Sequence, residues 1–126
     1  MAIVIEPHVI SLLQAAFPDA QVAVGVDQVA LRRERVITVN ADAQPIGEHG
    51  RGVLWTVDFS VLDTDRTRGV ETAHGILTLL EDAVTQGRLP VSGVKIIDLP
   101  TVRVNATASQ AHSATHCAVR FSAHYG

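Results

Sequence analysis

From Val53 to Val61 every second residue is apolar, and Thr56, Asp58 and Ser60 lie between them, a pattern typical of a strand with one buried face. After Asp65 the apolar period changes from two residues to about 3.6, which is the spacing of one face of a helix. The segment therefore predicts a strand followed directly by a long amphipathic helix that lies on the sheet. The predicted core combines large residues from the apolar face of the strand and from the apolar face of the helix with one residue from the last strand: Trp55, Phe59, Leu77, Leu80 and Phe121.

The same reasoning predicts the other elements, in the order α-β-β-β-α-β-β. A first helix is expected from Pro7 to Phe17, and Gly87 is expected to cap the second helix in a left-handed conformation. Pro100 indicates an edge strand or a bulge. We therefore predict one α+β domain, a mixed or antiparallel sheet of four to five strands, and two helices on one face. The strands are predicted at Gln21–Val26, Arg35–Asn40, Val53–Leu62, Val94–Asn105 and Thr115–Tyr125.

The stretch from Ala41 to Gly52 carries Pro45 and three glycines, which interrupt regular structure. We expect an extended, mobile loop that orders on a partner. Replacing its central part by a short Gly-Ser connection is expected to prevent assembly but not folding. The candidate residues for a partner or oligomer interface are Gln44, Ile46, Glu48, His49 and Arg51.

Composition and charge restrict the class of protein. A chain of 126 residues with 47% hydrophobic and 18% charged residues has the size and composition of one globular domain. The net charge of -3 and the lack of a general cationic face do not favour nucleic-acid binding. The N-terminal residues lack the features of a signal peptide, and a single cysteine, Cys117, excludes an internal disulfide. We expect a soluble, non-secreted protein.

Two short motifs have simpler explanations than ligand binding. The glycines from Gly47 to Gly52 precede a strand, whereas a phosphate-binding loop joins a strand to a helix. Asp63 and Asp65 have the spacing of a cation-binding pair, but they stand where a helix N-terminus requires side-chain acceptors. Capping is the preferred interpretation of the two aspartates.

The C-terminal region contains the densest group of soft metal ligands: His112, His116, Cys117 and His124. On a strand, His116 and His124 lie on the face opposite Cys117, so these ligands cannot converge on one zinc ion. The same alternation excludes a nucleophilic Cys-His pair. We therefore predict no structural metal, no cofactor and no catalytic residues, that is, a protein without enzyme activity.

The segment Val53–Arg66 (VLWTVDFSVLDTDR), together with the helix and the last two strands, resembles the tail terminator (minor tail protein U-like) family of long-tailed bacteriophages. In that family a short N-terminal helix precedes strands with a long hairpin loop, one strand then leads into a helix, and two strands close an α+β domain. The resemblance covers nearly the whole chain and depends on the order of elements, the chain length and this one segment.

The resemblance implies a structural virion protein, made in the host cytoplasm, that forms a ring, usually a hexamer, at the head-proximal end of the tail. Such a ring stops tube polymerisation and joins the tail to the head. Its partners would be other copies of itself, the tail tube protein and the head-tail connector, with genome DNA passing through without sequence-specific contacts and no membrane involved. The alternatives are a small ferredoxin-like ligand-binding or enzymatic domain, or another phage neck or tail-tube subunit.

Overall fold

The computed structural model describes residues 5–24, 35–46, 52–103 and 113–124. Its elements are α1 (Glu6–Ala16), β1 (Gln21–Val24), β2 (Arg35–Ile46), β3 (Gly52–Asp63), α2 (Arg66–Thr85), β4 (Gly93–Arg103) and β5 (Ser113–His124). The predicted element order and the α+β class are confirmed. The predicted ends of three strands, at Val26, Asn105 and Tyr125, lie outside the described residues.

The strands form one mixed sheet in the order β1-β2-β3-β5-β4. β1 runs parallel to β2, and every other neighbouring pair is antiparallel. β4 is an edge strand, and its register with β5 shifts on both sides of Asp98. The prediction from Pro100 is therefore confirmed, because a proline that cannot donate to the ladder is accommodated at an irregular edge.

The hydrophobic core lies between the sheet and the two helices, which pack on the same face. Phe59, Leu80 and Phe121 are fully buried and Leu77 is nearly so, as predicted. The prediction for Trp55 is wrong: this residue is only partly buried and packs against the core, because its partner on β2 is the small, exposed Ala43. The helices contribute the rest of the apolar layer, with Val9, Leu13, Ala73, Ile76 and Ala83 among its buried residues.

The predicted loop from Ala41 to Gly52 is wrong over most of its length. Ala41–Ile46 continues β2, and Gly52 is the first residue of β3. Each of these β2 residues has a partner on β3, with Pro45 opposite Val53 and Ile46 opposite Gly52. Pairing along β3 overrides the low strand propensity of Asp42 and Pro45, since propensity for strands depends on context. Residues 47–51 lie outside the described part of the chain.

Candidate assembly surface

The outer half of β2 is exposed, whereas the residues of β3 that pair with it are buried or partly buried. Ile37 and Val39 of β2 are buried beneath the helices, but Ala43 and Pro45, on the same face of the strand, are exposed. Parallel pairing with β1 covers only Val36–Val39 of β2. No other strand of the described chain pairs with the outer edge of β2 beyond that point.

The structure places two of the five candidate interface residues in this hairpin. Gln44 is exposed and lies opposite Leu54, and the partly buried Ile46 lies opposite Gly52. Glu48, His49 and Arg51 lie outside the described residues. Gln44 and Ile46 therefore belong to a regular strand, where their direction is fixed by the register with β3.

The other edge of the sheet is also open to solvent. On β4, Lys95 and Asp98 are exposed, and Leu99 has 67% of its surface exposed within the irregular segment. Among the described residues, the only other large hydrophobic side chain with such exposure is Val24, at 56%, at the end of β1. The two exposed apolar side chains thus lie on opposite edges of the same sheet.

The sheet face opposite the helices is mostly polar. One row of directly paired residues crosses four strands of this face: Asp42, Thr56, Arg120 and Lys95. Arg120 and Lys95 are directly opposite each other, an arrangement that destabilises a sheet by repulsion between like charges. Within the described chain, neither of them forms an ion pair with an acidic residue.

A histidine-carboxylate pair lies near the centre of this polar face. The Nε2 atom of His116 on β5 is 3.2 Å from Oδ1 of Asp58 on β3. The histidine side chain is 16% exposed and the aspartate side chain 44% exposed, while the histidine Nδ1 atom is buried without a hydrogen-bond partner. Asp58 can fix the orientation of the imidazole, but the Nδ1 atom that would have to accept a substrate proton is buried, so the pair does not have the arrangement of a general base.

A second polar cluster connects β3 to α2 at one end of the sheet. Asp63 is completely buried, and Arg68 donates to both of its carboxylate oxygens, at 2.9 Å from Nε and 2.7 Å from Nη2. The backbone N–H of Asp65 donates to the same carboxylate at 2.8 Å. Burial by itself raises the pKa of Asp63, but these hydrogen bonds and the charges of Arg68 and Arg35 outweigh it and lower the pKa.

This second cluster confirms helix capping for Asp65, whereas Asp63 accepts from the backbone N–H of the N-cap residue and from the Arg68 side chain. Asp65 is the N-cap of α2, and its side chain accepts a hydrogen bond from the backbone N–H of Arg68 at 3.2 Å. Asp63 fixes the turn that leads into the helix. In the described part of the chain, no group of three or more His, Cys, Asp or Glu residues is arranged to hold a metal ion.

Cys117 and His116 lie on opposite faces of β5, as the alternation predicted. Cys117 is fully buried in the core. Burial, followed by the negative charges of Asp58 and Asp98, raises the pKa of its thiol to about 12. The thiol is therefore protonated at neutral pH and is a poor nucleophile. His112 and the side chain of His124 lie outside the described region.

No protein-family model matches the sequence, and no curated protein matches it. None of the helices in the described residues is both long and apolar enough to cross a lipid bilayer.

The functional features that the sequence did not reveal are contacts between distant strands. The pairing of His116 with Asp58 and the row from Asp42 to Lys95 depend on strand order and register, which alternation alone does not give. Alternation did assign His116 and Asp58 separately to the polar face of their strands. To predict these contacts, one would also have to know that β5 lies between β3 and β4 in the sheet.

Proposed function

We propose that this protein is a tail terminator of a long-tailed bacteriophage. It forms a ring, with six subunits as the expected number, on the head-proximal end of the tail tube. The ring stops polymerisation of the tube and provides the surface on which the head connector binds. In this proposal the protein is a structural component of the virion tail, assembled in the host cytoplasm, and has no enzyme activity.

The observation that carries the proposal is the long β2–β3 hairpin. Its two strands have 12 residues each, and the outer half of β2 is exposed to solvent. The order of elements agrees with the family layout named above: an N-terminal helix, strands, a helix directly after one strand, and two closing strands. The long hairpin loop of that layout differs, because Ala41–Ile46 is strand in this chain. The exposed outer half of β2 supplies side-chain groups for contact with a neighbouring subunit.

The direct test is to add the purified protein to the polymerising tail tube protein of the same phage. We expect tubes that stop growing and carry a ring at one end in negative-stain images, whereas tubes without the protein continue to lengthen. Glu81→Lys, on the exposed face of α2, is the control variant and should act like the wild type. Incorporation along the whole tube would instead identify a tail-tube subunit, and absence from the tube end would contradict the proposal.

One observation favours the alternative of a small ligand-binding or enzymatic domain: the orientation of His116 by Asp58 on the open face. The element order does not match the β-α-β-β-α-β order of ferredoxin-like domains, so this alternative depends on the site and not on that fold. A screen of small molecules by thermal shift tests it. A ligand that stabilises the wild type, but not His116→Ala, would favour the alternative.

A further inference from the structure

The polar face of the sheet carries two positive charges side by side. Lys95 of β4 and Arg120 of β5 are both exposed and lie directly opposite each other. Side chains in such a pair have Cβ atoms about 4.5 to 5.5 Å apart, so the two charges repel each other. Neither forms an ion pair with an acidic residue of the described chain. A negative group bound beside them would offset this repulsion.

The two cations lie at an edge of the sheet. Among the described strands β4 pairs only with β5, and its residues Gly93–Ile96 are in regular register. An edge strand of this kind can accept an extended segment of another protein as an additional strand. Leu99 follows on the same strand with 67% of its surface exposed. The edge therefore presents a cation and an apolar side chain a few residues apart.

Acidic residues beside the two cations restrict the charge that a ligand can carry. Asp98, further along β4, pairs with Ala118, which pairs in turn with Asp58 on β3. Both aspartates thus lie in the row next to that of Lys95 and Arg120. A polyanion such as nucleic acid or an anionic membrane would bring further negative charges against these carboxylates. The surface fits one negative group at the level of Lys95.

We propose that an extended segment of another protein binds along β4 and pairs with Gly93–Ile96. The segment carries one carboxylate opposite Lys95, on the face that also carries Arg120, and an apolar side chain that packs against Leu99. Backbone hydrogen bonds supply affinity, and the carboxylate supplies specificity. This inference goes beyond the proposed function and does not depend on it, because it follows from the charges and the edge of the sheet.

The chain itself does not offer a matching edge to a second copy. The outer edge of β2 carries the exposed Asp42, at the level of Lys95. However, β1 already pairs with Val36–Val39 of that edge. A neighbour's β4 placed with Lys95 beside Asp42 would overlap β1. We therefore assign the surface to a different protein.

The length of the contact is limited by β4 itself. The register with β5 shifts after Ile96 and again after Asp98, and Pro100 has no N–H to donate. Irregularities of this kind protect an edge strand against unlimited pairing with other edges. Because the regular segment is short, backbone pairing alone gives little affinity. A neutral segment should therefore bind weakly, and the carboxylate should decide whether binding is detected.

The first test uses short synthetic peptides with both ends blocked. In the probe, valine alternates with threonine, and one central threonine is replaced by glutamate. In an NMR titration, we expect the amide signals of Gly93–Ile96 to shift. The dissociation constant should be at least about tenfold lower than for the same peptide with glutamine. Proline in place of the two valines next to the glutamate removes backbone donors and should weaken binding to a similar degree.

The second test changes the protein. Lys95→Glu should raise the dissociation constant of the glutamate peptide by about tenfold or more, and Arg120→Glu should raise it as well. A peptide with lysine in place of the glutamate should bind Lys95→Glu more tightly than it binds the wild type. Arg66→Glu, at the exposed start of α2, makes the same change of charge as Arg120→Glu and should leave binding unchanged. Circular dichroism shows whether each variant is folded.

Several results would overturn the proposal. Equal binding of the glutamate and glutamine peptides would do so, as would binding that survives Lys95→Glu. A DNA duplex or anionic lipid vesicles that bind more tightly than the glutamate peptide, and are released by Arg120→Glu, would show a surface for polyanions instead. Self-association of the wild type that Lys95→Glu abolishes would place a second copy on this edge.

The outcomes are separate from those for the proposed function. A folded Lys95→Glu protein that loses the peptide but still forms rings supports this surface and leaves a terminator role intact. A wild-type protein that binds the glutamate peptide but does not cap tail tubes supports the surface and contradicts the role. A protein that caps tubes but does not bind the glutamate peptide at any soluble concentration overturns the surface alone.

Discussion

At the scale of single residues, Asp63 shows how this fold accommodates a buried charge. Its carboxylate has no exposed surface, and both oxygens accept hydrogen bonds from Arg68. A buried acceptor that lost these partners would not regain the hydrogen bonds of water, so removal of either residue destabilises the protein. Asp63 and Arg68 therefore hold β3 and α2 at a fixed angle.

The pH dependence of folding tests this role. Because the folded state lowers the pKa of Asp63 below the ordinary value of 3.8, its contribution to stability is complete above that pH. The contribution is lost as the pH falls from 3.8 through the lower folded pKa. Urea unfolding from pH 7 to pH 2 should show this loss in the wild type, and Asp63→Asn should largely remove it.

At neutral pH, Asp63→Asn should cost about 1 to 3 kcal/mol, because an amide cannot accept both hydrogen bonds from Arg68. Glu81→Gln is the matched control, since it removes an exposed carboxylate on α2. It should leave the free energy of unfolding within about 0.5 kcal/mol of the wild type. Equal effects of the two substitutions would show that the buried cluster has no special role.

Phe59 is the second residue whose role can be measured, because it is fully buried at the centre of β3. Phe59→Ala should lower the free energy of unfolding by about 3 to 5 kcal/mol, through lost burial and the cavity left between sheet and helices. Denaturant unfolding gives the value, with the exposed Thr78→Ala as control. A loss below about 1 kcal/mol would contradict the assignment of this face to the core.

At the scale of elements, α2 has defined ends on both sides. Its C-terminus is a Schellman motif, in which the N–H of Arg88 donates to the carbonyl of Ala83 and the N–H of Gly87 donates to that of Val84. Gly87 has a φ of 71°, which confirms the left-handed cap predicted from the sequence. The position directs the chain away from the helix towards β4.

Substitution of alanine for two glycines of this region should change the stability of the protein in opposite directions. Gly87→Ala should destabilise the protein by about 1 to 2 kcal/mol, because a Cβ atom is strained in the left-handed region. Gly75→Ala, inside α2, should stabilise it by up to about 1 kcal/mol through helix propensity. The added Cβ would lie 3.4 Å from Cζ of Phe17, an ordinary contact. Thermal unfolding compares the two, and the same sign for both would contradict this account.

The hairpin is the element for which sequence reasoning failed. Pro45 and the nearby glycines predicted an irregular loop, but β2 continues to Ile46 because β3 supplies partners for the whole length. Proline is tolerated in β2 because the outer edge of the strand has no partner at this level in the described chain. Gln44 and Ile46 consequently belong to a strand, whereas the other three candidate residues, Glu48, His49 and Arg51, lie outside the described part of the chain.

At the scale of the whole molecule, both helices and three strands, β2, β3 and β5, contribute buried residues to one continuous core. We therefore expect a single cooperative unfolding transition in dilute solution, where self-association is absent. Trp55, the only tryptophan, lies at the edge of this core and reports on tertiary packing. Its fluorescence and the far-ultraviolet circular dichroism should change at the same urea concentration. Separate midpoints would indicate that one part of the domain unfolds independently.

The sequence by itself determined the type and order of the elements, because alternation and helical periodicity record which face of each segment is buried. It also determined the caps at Asp65 and Gly87, which depend on neighbouring residues only. Gln44 and Ile46 could be selected from the sequence as candidate interface residues, but their strand conformation could not be predicted from it.

Only the tertiary structure decided the length of β2, the strand order, and the row that sets Asp42 level with Lys95. These features depend on pairing between segments far apart in the chain. The local sequence pattern of one segment does not show which other segment pairs with it. The buried pair of Asp63 and Arg68 has one feature that the sequence predicts and one that depends on the tertiary structure. The aspartate could be predicted as a helix-start residue, whereas its burial follows from the packing of α2 against the sheet.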